Sequence, residues 1–206
     1  MKRLGILISG RGSNFESIAR ALSDGEIPAQ IALVISNRPA APGLDLARRM
    51  GFNTRCIASK GRSRDEFETE ILTALDEAGV DHLCLAGFMR VLSGHFVRAF
   101  PGRILNIHPS LLPAFPGLDA QKQALEYGVR FTGCTVHLID ENVDAGPVIL
   151  QAVVPVADDD TVETLSARIL AQEHQIYPEA IRLVVENRID VQGRRVAIRN
   201  SKAQDR

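Results

Sequence analysis

Residues 4–36 read LGILISGRGSNFESIARALSDGEIPAQIALVIS, and this stretch decides the fold. Its two apolar runs, residues 4–9 and 31–36, have the pattern of buried strands. Residues 14–22, which lie between them, place their apolar side chains on one helical face. A strand, a helix and a second strand in this order predict a parallel βαβ unit with a right-handed crossover.

The same alternation continues along the chain. Further strands are predicted at residues 54–57, 82–86, 103–108, 134–139 and 148–155. Further helices are predicted at residues 43–50, 63–78, 120–127 and 161–186. Ser63 and Glu66 form a capping box at the start of the second of these helices. The last two strands are expected to pair across ENVDAG. We therefore predict an α/β fold: a doubly wound, mostly parallel sheet with an antiparallel C-terminal portion.

The composition is that of an ordinary globular chain. Of its 206 residues, 45% are apolar and 24% are charged, and the net charge is −1. This length predicts a single domain over residues 1–187, followed by a basic C-terminal tail over residues 188–206 that is solvated and partly frayed. The near-zero net charge gives no bulk attraction to nucleic acid or to an anionic membrane. No apolar run approaches the roughly 18 residues that cross a bilayer.

The three cysteines and the acidic residues do not indicate a disulfide framework or a metal site. The cysteines are odd in number and lack CxxC or Cys/His spacing. Cys84 and Cys134 lie in apolar, strand-like runs, so they are expected to be buried thiols in a reducing compartment. No HExxH motif or carboxylate cluster is present, and we therefore expect no metal.

The loop SGRGSN, residues 9–14, follows the first predicted strand and opens the first predicted helix. Backbone N–H groups of the glycines, together with the helix N-terminus, can bind an anion there. The loop is neither GxGxxG nor a P-loop, so a phosphate monoester fits it better than a dinucleotide. A tight turn in which Ser13 caps the helix explains the same residues equally well.

A second candidate site begins in the strand at residues 103–108. Asn106 and His108 are two apart and therefore face the same side, and Pro109 ends the strand. An amide donor and an imidazole suit a reaction that generates an oxyanion and moves a proton. A histidine satisfied by a backbone carbonyl is equally consistent. Asp144 lies in the acidic turn, where aspartate usually bonds its own backbone, and His137 is expected to be packed or paired.

Five segments carry a resemblance to a known family. They are SGRGSN, LAGFMRVL, LNIHPSLLPAFPG, GCTVHLIDENVDAGPVILQ and the QEHQIYP helix. Together they resemble the phosphoribosylglycinamide formyltransferase family, in order and over residues 3–187. HPSLLP and DAGPVILQ are shared with other 10-formyltetrahydrofolate enzymes. The resemblance implies a Rossmann-like fold and transfer of a formyl group from 10-formyltetrahydrofolate, as co-substrate, to the amine of 5-phosphoribosylglycinamide (glycinamide ribonucleotide) in the third step of purine synthesis.

The resemblance also implies roles for individual residues. Asn106 would bond the oxyanion of a tetrahedral intermediate, His108 would stabilise it and shuttle the proton, and Asp144 would orient the imidazole. The positions that match the ribonucleotide site are Gly12, Ser13, Asn14, Gln172 and Glu173. The positions that match the folate cleft are Arg64, Met89, Arg90, Val91, Leu92, Asp140, Glu141, Asn142 and Val143. The pterin is expected to bind mostly main-chain groups, and the two arginines to pair with the glutamate carboxylates of the folate.

One position departs from the family, and three alternatives stay open. Many bacterial members have a histidine where this chain has Asp119, so an auxiliary proton or positioning role is not carried over there. Formyltetrahydrofolate deformylase and methionyl-tRNA formyltransferase resemble the chain, but each usually has an additional domain that a chain of this length is expected to lack. A non-catalytic binding module is the third alternative. We expect a cytoplasmic monomer or weak homodimer that binds small molecules, without nucleic acid or membrane partners.

Overall fold

The computed structural model describes residues 1–199, which fall into two compact units, one from Met1 to Asn106 and one that begins at Ile107. The strands of the first unit are β1 (Lys2–Ile8), β2 (Ala29–Ser36), β3 (Thr54–Cys56), β4 (His82–Leu85) and β5 (Ile104–His108), the last of which continues into the second unit. Its helices are α1 (Ser13–Ser23), α2 (Pro42–Arg49), α3 (Arg64–Glu77) and α4 (Gly94–Ala99). These strands pair in parallel in the order β3-β2-β1-β4-β5.

The second unit contains the antiparallel part of the fold. Its strands are β6 (Phe131–Leu138), β7 (Val148–Pro155), β8 (Ile189–Gln192) and β9 (Arg195–Ile198), and its helices are α5 (Ala120–Tyr127) and α6 (Val162–Val185). β6 pairs with β7, and β8 with β9, both in antiparallel orientation. The strand order of the main sheet is β3-β2-β1-β4-β5-β6-β7. The predicted fold class is therefore confirmed, including the pairing across ENVDAG.

Most residues of β1, β2 and β4 are buried on both faces of the sheet, as in parallel sheets that are covered by helices. Leu4, Ile6 and Ile8 of β1 have no exposed surface. Phe15 of α1 packs edge-on against Phe52, with ring centroids 5.7 Å apart. Ligands bind at the carboxyl ends of the strands in such sheets, and the loops after β1 and β4 leave from those ends.

The predicted strands and helices are all present, with ends displaced by at most three residues, since β6 begins at Phe131 rather than at 134. The Ser63–Glu66 capping box at the start of α3 is also confirmed. Helix α4 was not predicted because its six residues are too short to show a helical period. It begins where the Ser93 hydroxyl accepts a hydrogen bond from Phe96 N–H.

The basic C-terminal segment differs from its prediction. Residues 189–198 pair as the β8-β9 hairpin, which turns through Gly193 with φ 60°, so the expectation of fraying is wrong there. A glycine adopts this left-handed conformation without steric cost. The segment is nevertheless largely exposed, as predicted. Residues 200–206, with Lys202 and Arg206 of the predicted tail, lie outside the described residues.

Cys84 and Cys134 are fully buried and Cys56 is exposed, and none of the three forms a disulfide. Burial raises the pKa of the Cys84 and Cys134 thiols to about 12, and the nearby Glu173 carboxylate adds to the rise for Cys134. Both buried groups are therefore thiols at neutral pH, which are poor nucleophiles. Among residues 1–199, no helix combines the length and the apolar character needed to cross a membrane.

Candidate active site

His108 is the last residue of β5 and is almost fully buried. Its ring lies between two acceptors. Nε2 is 2.8 Å from the carbonyl oxygen of Phe115, and Nδ1 is 3.3 Å from Oδ2 of Asp144. The ring can donate to both neighbours only when each nitrogen carries a proton. The backbone-carbonyl partner considered from the sequence is thus present, and the carboxylate is present as well.

Asp144 reaches His108 from the turn between β6 and β7. Its side chain does not bond its own backbone, as loop aspartates usually do. Instead, Oδ2 accepts a hydrogen bond of 2.8 Å from the N–H of Gly117, 27 residues away. The residue has φ 50°, a left-handed conformation that aspartate tolerates better than most residues. This backbone conformation and the Gly117 bond together fix the direction of the carboxylate.

His137 lies on the other side of the same carboxylate. It is fully buried in β6, with Nδ1 3.0 Å from the Leu138 carbonyl oxygen and Nε2 3.7 Å from Oδ1 of Asp144. Burial lowers its pKa below the ordinary value, although the Leu138 carbonyl and Asp144 oppose this shift. The expectation that His137 is packed and paired is confirmed. The carboxylate therefore faces a histidine on each side.

The loop that supplies Phe115 is held by a buried hydroxyl. Oγ1 of Thr135 in β6 accepts from Leu112 N–H at 3.0 Å and donates to the Ser110 carbonyl at 2.7 Å. Nε2 of Gln151 in β7 donates to the same Oγ1 and to the Leu112 carbonyl, both at 2.9 Å. Two strands thus fix the backbone of the loop that contacts His108.

Asn106 lies two residues before His108 in β5 and is half-buried. In a strand, this spacing directs both side chains to the same face. A carboxamide and an imidazole paired with a carboxylate can stabilise a developing oxyanion and transfer a proton. Among residues 1–199, no group of three or more His, Cys, Asp or Glu side chains is arranged to hold a metal ion.

The candidate phosphate loop lies in the first unit, where β1 leads into α1. Gly12 occupies the N-cap position with φ 80°, and no side chain caps the helix. The alternative in which Ser13 acts as the cap is therefore wrong. A Cβ on Gly12 would lie 2.9 Å from the Cα of Gly43, so a larger residue does not fit. The backbone N–H groups of the first turn of α1 point outward at a positive helix end.

The candidate folate residues of the first unit lie in an irregular segment between β4 and α4. Met89 is 55% and Val91 62% exposed, an unusual exposure for large apolar side chains, whereas Leu92 is buried. Arg90 is exposed, and its guanidinium carbon is 6.0 Å from the centroid of the Phe67 ring. Arg64 lies at the start of α3, and its Nη2 donates to the Val91 carbonyl at 2.7 Å. Arg64 and the segment are thus in direct contact.

The remaining predicted site residues lie in the second unit. Glu141, Asn142 and Val143 are exposed in the turn after β6, where the Asp140 carboxylate accepts from Asn142 N–H at 2.8 Å. Two further residues lie on α6: Gln172 is half-buried and Glu173 is buried. Asp119, where the resemblance implies a histidine in many members, is exposed at the N-terminus of α5.

Comparison with known proteins places this geometry in a family. The profile of the formyl transferase family matches residues 2–181. This chain belongs to the formyl transferase family. It is 44% identical to phosphoribosylglycinamide formyltransferase of Escherichia coli (strain K12) over 185 residues, which cover 89% of this chain and 87% of that protein.

Two further relatives extend the comparison. The human trifunctional purine biosynthetic protein adenosine-3 is 50% identical over 190 residues, which are 92% of this formyl transferase but 19% of the human protein. The chain thus spans about a fifth of that relative's length. The crystal structure of glycinamide ribonucleotide transformylase 1 from Symbiobacterium toebii superposes with a TM-score of 0.95 and 54% identity, covering 97% of this chain and 95% of that one.

Several residues that shape the site were missed from the sequence. Phe115 contributes a main-chain oxygen, which no side-chain pattern reveals. Thr135 and Gln151 are directly paired across β6 and β7. Polar residues in two neighbouring strands that are largely apolar were the signal that could have indicated a buried network.

Replacing Thr135 with Val is expected to destabilise this formyl transferase by roughly 2 kcal/mol, because Leu112 N–H and the Ser110 carbonyl lose a buried partner. Thr132→Val is a matched control. Thr132 is also buried in β6, but its hydroxyl has no hydrogen-bond partner among the described residues. Urea unfolding should leave Thr132→Val at or above the wild-type stability. Equal losses in the two variants would contradict the role of the Thr135 hydroxyl.

The buried His137 predicts a loss of stability in mild acid. Its folded-state pKa lies below the ordinary 6.5, so below pH 6.5 the unfolded chain binds a proton that the folded chain excludes. The free energy of unfolding should therefore fall as the pH drops from 7.5 to about 5.5. His137→Asn, measured by urea unfolding at both pH values, should lose less stability than the wild type. His95→Asn, an exposed control in α4, should keep the wild-type difference.

Proposed function

We propose that this chain transfers the formyl group of 10-formyltetrahydrofolate to the amine of 5-phosphoribosylglycinamide. The observation that carries the proposal is the placement of His108 between the Phe115 carbonyl and Asp144, on the strand that also contains Asn106. An acid–base imidazole beside an amide donor suits acyl transfer. The relatives named for this reaction supply the substrate class.

The proposed mechanism is a direct attack through a tetrahedral intermediate. The amine nitrogen forms a bond to the formyl carbon, and the carbonyl electron pair moves to its oxygen. Asn106 donates a hydrogen bond to this oxyanion, and protonated His108 stabilises the same charge. When the intermediate collapses, the bond from carbon to the N10 nitrogen of the folate breaks. The protonated His108 gives its proton to N10 as this bond breaks and regains a proton from the attacking amine nitrogen, while Asp144 keeps the imidazole oriented.

The first unit offers groups for both substrates. The uncapped N-terminus of α1, with Gly12, Ser13 and Asn14, suits a phosphate monoester because its N–H groups and helix dipole both favour an anion. Among residues 1–199, no protein group bonds the main-chain N–H or C=O of Arg90 or Leu92. These groups are therefore open to a pterin, beside the exposed apolar side chains of the segment. The resemblance assigns Gln172 and Glu173 to the ribonucleotide and the turn at 140–143 to the folate.

We further propose a cytoplasmic enzyme that works as a monomer or weak homodimer on small molecules, without a nucleic acid partner. Support comes from the three unpaired cysteines, which suit a reducing compartment. The net charge of −1 also provides no general attraction for polyanions.

Substrate dependence tests the reaction. Purified protein is incubated with 10-formyltetrahydrofolate in the presence and absence of 5-phosphoribosylglycinamide, and tetrahydrofolate release is followed. Release only when the ribonucleotide is present is expected. Release without it would indicate a deformylase, in which water replaces the amine. No release under either condition would indicate a binding module and contradict the proposal.

Substitution of the candidate catalytic residues tests the mechanism. Asn106→Ala and His108→Ala are each expected to lower kcat by about 10²–10³, because each removes a donor to the oxyanion. Binding of 5-phosphoribosylglycinamide, measured by titration calorimetry, should remain. His95→Ala on the exposed surface of α4 serves as the control and should retain wild-type turnover. A near-normal kcat in both active-site variants would exclude the assigned roles.

A further inference from the structure

The segment at residues 89–93, between β4 and α4, has no regular structure, yet its backbone is held at three points. Near its beginning, Met89 N–H donates to Oγ of Ser9 at 2.8 Å. In the middle, the Val91 carbonyl accepts from Arg64 at 2.7 Å. At its end, Ser93 N–H donates to Oε1 of Glu68 at 2.8 Å. A loop fixed in this way keeps its shape without the ladder bonds of a strand or helix.

Glu68 is the most buried charged group in this arrangement, with 3% of its surface exposed. Its two oxygens serve three donors. Oε1 accepts from Ser93 N–H and from Nε of Arg64 at 3.2 Å, and Oε2 accepts from the Ser93 hydroxyl. A buried carboxylate is costly unless it is fully hydrogen-bonded, and these donors satisfy it.

Arg64 and Glu68 are four residues apart on α3, so they lie on one face of that helix and form an ion pair. We call these two residues the α3 clamp. Arg64 uses Nε on Glu68 and Nη2 on the Val91 carbonyl, which leaves Nη1 for another anion. The clamp therefore joins both ends of the stretch 91–93 to a regular helix.

The opposite end of the segment is fixed by a separate buried network. The Ser9 hydroxyl that accepts from Met89 N–H donates to Oδ1 of Asn37 at 2.6 Å, and both of these side chains are buried. Nδ2 of Asn37 in turn donates to the Ser59 hydroxyl at 3.2 Å. The loops after β1 and β2 thus hold the beginning of the segment, while α3 holds its end.

We propose that Glu68 is a positioning residue for the formyl folate, a role that rests on the proposed function. Glu68 is not proposed to touch the folate itself, since its carboxylate bonds Arg64 and Ser93. It fixes Ser93, and through Arg64 it fixes Val91, so that the main chain of Arg90 and Leu92 stays in the geometry that receives the pterin. Binding then incurs no cost for ordering this loop, which is the usual benefit of preorganisation. Among residues 1–199, the side chains of Arg64 and Glu68 bond only each other, Val91 and Ser93, and make no hydrogen bond to the ribonucleotide site at the N-terminus of α1.

The test is Glu68→Gln, which keeps the shape of the side chain but exchanges one acceptor for a donor. The dissociation constant of 10-formyltetrahydrofolate, measured by titration calorimetry without ribonucleotide, should rise about tenfold, the effect of losing a charged hydrogen bond. The KM for the folate should rise in parallel. The kcat and the KM for 5-phosphoribosylglycinamide should stay within about twofold, because uniform binding alone is weakened.

Glu70→Gln is the matched control, since it makes the same change on the same helix. Glu70 pairs with Arg62 at the surface and does not touch the segment. Amide hydrogen exchange in the free protein should accelerate at residues 89–93 in Glu68→Gln and remain at the wild-type rate in Glu70→Gln. Ser93→Ala, which removes one donor from outside α3, should give a smaller change in the same direction and serves if Glu68→Gln fails to fold.

Three outcomes would overturn the proposal. Folate affinity in Glu68→Gln equal to that of Glu70→Gln would show that the clamp does not position the ligand. If Glu68→Gln lost affinity for the folate and for the ribonucleotide equally, and also had a lower thermal stability, its role would be structural alone. A wild-type protein that binds no formyl folate would overturn this proposal and the proposed function together. A wild type that binds the folate but transfers nothing to the ribonucleotide would overturn the proposed function, while the affinity of Glu68→Gln would still decide the role of the clamp.

Discussion

The arrangement around His108 depends on a close backbone approach in the turn after β6. A Cβ on Gly146 would lie 1.8 Å from the Leu138 carbonyl oxygen, so only glycine lets the two chain segments come this near. The Leu138 N–H then bonds the Pro147 carbonyl at 2.9 Å. The turn closed in this way carries Asp144 in its left-handed conformation. A steric requirement at one glycine therefore determines where the carboxylate beside the imidazole can lie.

The layers of the fold were predictable because burial imposes a period on the sequence. Residues 4–8 of β1 and 31–35 of β2 form apolar runs because both faces of the sheet are covered there, and the start of α3 is marked by its capping box. Asn106 and His108 could be paired from the sequence alone, because two-residue alternation is a property of every strand. Asp144 could be joined to them only through the resemblance, since its partners lie in segments distant in sequence.

The contacts that hold the loops of the site could not be predicted from the sequence, and the reason is physical. The bond from Ser93 N–H to Glu68 joins residues 25 apart, and the bond from Thr135 to the Ser110 carbonyl also spans 25 residues. No local pattern encodes a contact that exists only after the chain has folded. From the sequence alone, the buried Glu68 of α3 cannot be distinguished from a solvent-exposed glutamate on a helix. Its partner becomes evident only when the loop between β4 and α4 is placed against the helix.

Asp119 stands at a position where the resemblance implies a histidine in many family members. Asp119 has φ 57°, a left-handed conformation in which aspartate is among the more tolerated residues. Its side chain caps no helix and is exposed, whereas His108 is held by Phe115 and Asp144. Neither of those contacts involves residue 119, so the imidazole is held by groups other than the side chain at that position. What the structure requires at this position is therefore a residue that tolerates the left-handed backbone conformation.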